Sequence, residues 1–320
     1  MSIVITGSTG KLGTQIVQHL SKLIPPSSIT ATTRNSNSTK AQSLSSPDLG
    51  IRLVQADFTD PTSLVEAFKG AERVLIISVD KIGEEAFLQH KAAIDAAKRC
   101  GVKKVYYTSH LGSKERSEFQ PMMDHWRTEQ YLEETCHSGS GTGTTTMEFT
   151  SLRNGFYMSS MKQMIGSPQH NGKIICPADG KVSWTTHSDL GEGIAKILVS
   201  DSVSHSDSTK STSTPRYVRL TNTSSWDMED VARILTPILG RTVEREVISE
   251  EQHKEKLMGF GVPEIFADML LTGFRSFRKG EFGETDGYLR DVLGRECESV
   301  EVFMKREFTG KEGASMVSGH

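Results

Sequence analysis

The chain has 320 residues, 36% of them hydrophobic and 24% charged, with a formal net charge of -3 and an isoelectric point near 6.4. That length suits about two domains around a sizeable core, and the near-neutral charge balance argues against nucleic acid as a partner. No apolar run approaches the roughly 18 residues that cross a bilayer, the start lacks the pattern of a secretory signal, and Cys100, Cys136, Cys176 and Cys297 lie too far apart for a metal site. A cytoplasmic protein with reduced thiols, no metal and no membrane insertion is therefore expected.

The first elements are the apolar stretch "SIVIT", the glycine-bearing "GSTGKLG" and the helical "KLGTQIVQHLSKLI". Leu12, Ile16, Val17, Leu20, Leu23 and Ile24 recur at helical spacing and form one apolar stripe. Strand, glycine loop and amphipathic helix in that order are what a dinucleotide site requires. Gly7 permits the tight turn, Gly10 lets backbone approach a pyrophosphate, and Gly13 lets the helix pack close to the strand. Thr9, Lys11 and Leu12 belong to the same expected phosphate-holding segment, because the N–H groups and positive dipole of a helix start favour an anion.

Further strands are expected at "ITATTR", "IRLVQADF" and "RVLIISV", with a helix at "LVEAFKG" before the last, giving a β-α-β-β-α-β order. The second strand ends at Arg34, where NAD-selective sites carry Asp or Glu. A guanidinium there suits a ribose 2′-phosphate and points to NADP(H), with Lys40 either assisting or solvated. Asp57 and Phe58, after the third strand, are placed beside the adenine, and Ser78 and Val79, after the fourth, beside the middle of the cofactor.

A helix over Glu84–Arg99, the strand "KKVYYTS", a helix around Asp124–Glu134 and the strand "MEFTSLRN" complete the core near Asn154. The fold class is thus α/β, a Rossmann-type doubly wound parallel sheet over residues 1–154. A smaller α/β lobe is expected over 155–320, and closing elements can return from it to the sheet. That lobe starts with "YMSSMKQMIG" and short strands at "KIIC" and "VSWTT". There follow a helix at "SDLGEGIAKILVSD" capped by Ser188 or Asp189, the strand "YVRLT", a helix at "WDMEDVARILTPILG", and a capping box from Ser249 to Gln252. Residues 137–146 and 200–215 are Ser/Thr/Gly-rich and read as solvated loops.

Thr108 and Ser109, ending the fifth strand, either bond the nicotinamide ribose or a substrate oxygen, or cap the strand. Asn154, Gly155, Phe156 and Tyr157 follow the sixth strand and would line a cleft beside the nicotinamide, where Phe156 and Tyr157 offer flat aromatic faces. His125 and Glu129 lie one helical turn apart, as a local pair or weak proton relay. His90 reads as a satisfied core histidine, and "GFGVPEIFADMLLTGF" either roofs the substrate cleft or packs on the lobe. None of the six tyrosines has a lysine four residues later, so the usual Tyr-x-x-x-Lys dehydrogenase dyad is absent, as are G-x-S-x-G and a complete P-loop.

The series "ITGSTGKLG", "TTRN", "QADFTD", "IISVD", "HKAAIDAAKRCGVKKVYYTS", "DHWRTEQYLEET", "SLRNGFYMSSM" and "GVPEIFADML" resembles the NmrA-like atypical short-chain dehydrogenases, nearest the NADPH quinone oxidoreductase type 2 subgroup. The resemblance implies an NADP-binding Rossmann domain, a small lobe and a cleft between them. Tyr157, Asn154 and His125 are then the catalytic candidates, while Gln130 stands where the subgroup often has Lys. Two activities follow from it. One is hydride transfer from NADPH to a small quinone-like substrate, or to an intermediate of specialised metabolism. The other is a non-catalytic NADP(H) sensor acting through a protein partner.

Overall fold

The computed structural model describes residues 1–44, 50–137, 147–200 and 216–310. Its strands are β1 Ile3–Ile5, β2 Ile29–Thr33, β3 Arg52–Gln55, β4 Arg73–Ile76, β5 Lys104–His110, β6 Glu148–Asn154, β7 Phe156–Tyr157, β8 Lys173–Cys176, β9 Trp184–Thr185, β10 Tyr217–Leu220 and β11 Glu244–Val247. The helices are α1 Lys11–Leu20, α2 Thr39–Leu44, α3 Pro61–Phe68, α4 Glu84–Arg99, α5 Gln120–His137, α6 Met158–Met164, α7 Pro168–Asn171, α8 His187–Ser200, α9 Met228–Leu239, α10 Glu250–Gly259, α11 Glu264–Arg278, α12 Tyr288–Leu293 and α13 Val300–Thr309.

Seven strands form one parallel sheet in the order β10-β6-β5-β4-β1-β2-β3. This is the doubly wound Rossmann-type arrangement, with its switch point between β1 and β4. The central strands are buried on both faces: all three residues of β1 and all seven of β5 are buried, as a sheet covered by helices on both sides demands. On one face α1 packs Leu12, Ile16, Val17 and Leu20 into the core, each burial worth about 1.5–3 kcal/mol. The predicted stripe ran on to Ile24, but the helix stops at Leu20 and leaves Leu23 exposed ahead of Pro25 and Pro26.

Beyond Asn154 the chain does two things. β10 pairs with β6 as the seventh strand, and α8 buries Leu190, Ile194, Ile197 and Leu198 in the same cluster as α1. The remaining segments form two parallel strand pairs, β8 with β11 and β7 with β9, under an aromatic cluster of Phe156, Trp184, Phe274, Phe277 and Phe282. Two expectations are corrected. A short helix, α2, lies between β2 and β3, where a direct strand-to-strand passage was read. The start of α8 is capped by Thr186, whose Oγ1 accepts from Asp189 N–H at 3.0 Å, so neither Ser188 nor Asp189 is the cap.

Candidate active site

The carboxyl ends of β1, β2, β3 and β4 converge on a cavity of about 500 Å³ that contains Gly7, Thr9, Gly10, Arg34, Asp57, Phe58, Ser78 and Val79. Eight expected cofactor residues from four separate segments thus share one space, at the switch point where open α/β sheets bind ligands. The glycine loop is held from behind. Ser8 exchanges backbone and side-chain bonds with Thr32, the Thr32 N–H donating to Ser8 Oγ at 3.1 Å, and Thr6 Oγ1 accepts from Ile77 N–H at 2.9 Å.

Gly7 has φ +59°, a left-handed conformation that other residues rarely adopt. A Cβ on Gly13 would lie 2.2 Å from the Gly7 carbonyl oxygen, so the helix sits as close to the loop as backbone permits. Gly10 precedes α1 as its cap residue and offers no side-chain cap, and the first turn of the helix has no acidic residue. Its leading N–H groups therefore lack a carboxylate or hydroxyl acceptor, which suits the diphosphate of a dinucleotide. Leu12 is buried in the core beneath, so only its backbone can serve a ligand, and Lys11 is exposed and outside the cavity lining.

Arg34 is exposed and forms no ion pair among the described residues. Asp57 accepts from Thr59 N–H at 2.8 Å and from Thr59 Oγ1 at 2.7 Å through the same oxygen. Those bonds, and then the charge of Arg34, hold its carboxyl below the usual range. Lys40 lies on α2 outside the cavity lining.

Thr108, Ser109 and Phe156 do not line this cavity. Thr108 Oγ1 accepts from Ser78 N–H at 2.8 Å and so braces the loop after β4. Phe156 sits among His110, Trp184, Phe277 and Phe282 at centroid distances of 5.1–5.4 Å, and also borders a second cavity of about 360 Å³ with Phe119, Met164, Leu257 and Leu270. The stretch read as roof or packing does both in part: Leu270, Gly273 and Phe274 line that cavity and Leu271 and Phe274 are buried, while Phe260, Ile265 and Phe266 are exposed.

The ends of β5, β6, β7 and the start of α8 meet beside the switch point. Tyr157 stacks on His187 with ring centroids 4.3 Å apart and 21° between planes, and Asn154 Nδ2 donates to Tyr157 Oη at 3.4 Å. His110 lies 5.9 Å from the Tyr157 ring and 6.2 Å from that of His125. Burial keeps these groups neutral: the imidazole of His110 is pushed down to about 3 and that of His125 to about 4. His187 is lowered to about 4 by burial and by the nearby Lys11 charge, and the Tyr157 phenol is pushed up. Ser109 Oγ, His110 Nδ1, Asn154 Oδ1 and Thr185 Oγ1 are buried with no hydrogen-bond partner among the described residues. A concentration of such atoms at the carboxyl ends of β5 and β6 and on neighbouring β9 marks a place where a polar ligand completes the bonding.

The expected His125–Glu129 pair is not formed. Glu129 is fully buried and taken by Arg153, at 2.9 and 2.6 Å, and by Ser113 and Ser151, at 2.8 and 2.6 Å. His125 Nδ1 instead lies 2.8 Å from Tyr107 Oη. His110 and His187 carried no expected chemistry. Only the position of His110 as the last residue of a buried strand could have drawn attention to it.

A Rossmann-type fold with a glycine loop at its switch point and a cleft of neutral polar and aromatic groups beside it defines a dinucleotide-binding protein of the oxidoreductase kind. Residues 1–310 match the NmrA-like family, and the chain belongs to it. It is similar to quinone oxidoreductase 2 of Escherichia coli, 31% identical over 293 residues, covering 91% of this chain and 93% of the relative. Among solved structures, an E. coli NADPH-dependent quinone oxidoreductase complexed with NADPH has 28% identity and a TM-score of 0.81, covering 96% of this chain and 99% of that one. The Citrobacter sp. triphenylmethane reductase complexed with NADP(H) has 29% identity and a TM-score of 0.81, covering 95% and 99%. Among the described residues no helix is long and apolar enough to cross a membrane.

Proposed function

We propose that the protein is an NADPH-dependent reductase that delivers hydride to a quinone or a related conjugated carbonyl. The observation that carries this reading is the cluster of buried, unpartnered polar atoms next to neutral aromatic groups at the carboxyl ends of β5 and β6. The solved relatives bound to NADPH and NADP(H) support the cofactor, and the E. coli quinone oxidoreductases support the substrate class.

In this reading Gly7, Thr9, Gly10 and Gly13, with the backbone of Lys11 and Leu12, hold the diphosphate. Arg34 takes the 2′-phosphate, Asp57 and Phe58 border the adenine, and Ser78 and Val79 line the passage to the nicotinamide. Bound NADPH supplies the hydride. The protein's part is to exclude water and to hold the acceptor ring flat against the nicotinamide, with Tyr157 as the aromatic wall and Asn154 as a polar contact, a proximity contribution of up to about 7–11 kcal/mol. A hydroquinone anion is a phenolate with a conjugate-acid pKa of about 10, so the one proton that completes the reduction need not arrive in concert with hydride. This agrees with the lack of a Tyr-x-x-x-Lys dyad in the chain.

The test is NADPH consumption by purified protein with benzoquinones and naphthoquinones, with NADH as control. Saturable turnover preferring NADPH is expected; tight NADP(H) binding with no turnover on any acceptor would overturn the reading in favour of a sensor. The two Ser/Thr-rich stretches to which a sensor's partner would bind fall almost wholly outside the described residues. Arg34→Ala is expected to weaken NADPH binding about 10- to 100-fold, the worth of a lost charge-assisted bond, and to leave NADH binding nearly unchanged. Equal losses measured by titration would remove the 2′-phosphate role.

A further inference from the structure

A chain of side chains beneath the cleft links the cofactor loop to His125, and its proton positions follow from the partners. His90 Nε2 accepts from the Val79 N–H at 3.0 Å, and an amide can only donate. His90 is buried and held neutral, its imidazole pushed down to about 3 by burial, so its one proton is on Nδ1. That Nδ1–H faces Thr128 Oγ1 at 3.1 Å and Tyr107 Oη at 3.3 Å. Thr128 already donates its own proton to the Asp124 carbonyl at 2.9 Å, so towards His90 it accepts. Tyr107 Oη, facing an N–H on that side, has its proton left for His125 Nδ1 at 2.8 Å. A neutral His125 that accepts at Nδ1 carries its proton on Nε2. That nitrogen makes no hydrogen bond among the described residues and is not one of the buried unpartnered atoms, so on a half-buried ring it is left free for a ligand, with the ring of His110 centred 6.2 Å away.

We propose that His90 and Tyr107 are positioning residues which fix His125 in the tautomer protonated at Nε2, so that His125 faces the cleft as a neutral hydrogen-bond donor to the carbonyl oxygen of the acceptor. The part concerning the acceptor rests on the reductase reading; the tautomer assignment does not. A neutral imidazole donor stabilises the negative charge that grows on the acceptor oxygen as hydride arrives, without itself giving up the proton. The same His90 holds the Val79 backbone, which lines the cofactor cavity, so donor and cofactor loop are fixed by one side chain.

The test is two-bond ¹H–¹⁵N correlation of the histidine side chains in the full chain with NADP⁺ bound, with and without Tyr107→Phe. In the unaltered protein His125 is expected as the Nε2–H tautomer, and His90 as the less common Nδ1–H tautomer. In Tyr107→Phe, which keeps the buried ring, the His125 signals should move towards a mixture of tautomers. Its kcat should fall about 10- to 100-fold, in the range of a lost donor to a developing oxyanion, while KM for NADPH stays within about twofold. A merely structural tyrosine would lower the melting temperature and leave the tautomer and kcat of the folded fraction unchanged. His125 protonated at Nδ1 in the unaltered protein, or an unchanged spectrum in Tyr107→Phe, would overturn the proposal. Absence of turnover on every quinone would remove the role at the acceptor, and the spectra alone would still decide the tautomer.

Discussion

Gly13→Ala is expected to abolish tight cofactor binding. The new methyl carbon would lie 2.2 Å from the Gly7 carbonyl oxygen, 2.8 Å from Ser8 Cα and 2.9 Å from the Gly7 carbonyl carbon. All three are backbone atoms, so no side chain can swing away to relieve the contact. Either α1 rises off the sheet or the turn at Gly7 opens. The first strains the packing of Ile16, Val17 and Leu20, and overpacking of this kind costs about 1–3 kcal/mol. The second moves the N–H groups that face the diphosphate, and each charge-assisted bond lost costs about 1.5–3 kcal/mol. Loss of two such bonds raises the dissociation constant for NADPH by at least about 100-fold. Gly259→Ala is the control, because it lies at the end of α10 with nothing within 4 Å of the added carbon; it should bind NADPH like the unaltered protein. Titration of both variants gives the answer, and near-normal binding by Gly13→Ala would mean that the loop does not hold phosphate.

The parts of the fold that could be read from the sequence are those with local causes. The helix α4 spans Glu84–Arg99 as the sequence predicts, since a helical apolar stripe and the Gly101 that follows it are both visible in sequence. β6 ends at Asn154 as read, and the box from Ser249 to Gln252 forms with both bonds made. α2 escaped notice because "NSNSTKAQSL" is short and polar, and only Ala41 and Leu44 are buried. The site was legible where one segment makes it and obscure where several converge. Spacing put His125 and Glu129 on one helix face, yet Arg153, from a strand 24 residues away, claims the carboxylate. His187 has no local signal and His110 only its place at the end of β5; they matter because strand ends and a helix start meet in space.

The buried histidines also make the protein acid-sensitive. His90 and His110 are each pushed down to about 3 by burial, against about 6.5 in an unfolded chain. Between those values the unfolded chain binds a proton that the folded one refuses, so stability is present above pH 6.5 and is lost as pH falls towards the folded value. Each group contributes a slope approaching 1.4 kcal/mol per pH unit, or about 2 kcal/mol between pH 7 and pH 5. The two together remove about 4 kcal/mol, a large share of a typical 5–15 kcal/mol. His125 and His187, both near 4, act in the same direction. Ordinary carboxyls barely titrate above pH 5, which isolates the histidines in this window. Asp179 and Glu298, whose carboxyls burial pushes up, work the other way. Urea unfolding at pH 7, 6 and 5 should therefore show a steep fall in stability. His110→Phe, placed among Phe156, Tyr157 and Phe282, should lose about 2 kcal/mol less over the same range. Equal stability at pH 7 and pH 5 would mean that these imidazoles take up protons in the folded protein, and that the cleft holds charged rather than neutral donors.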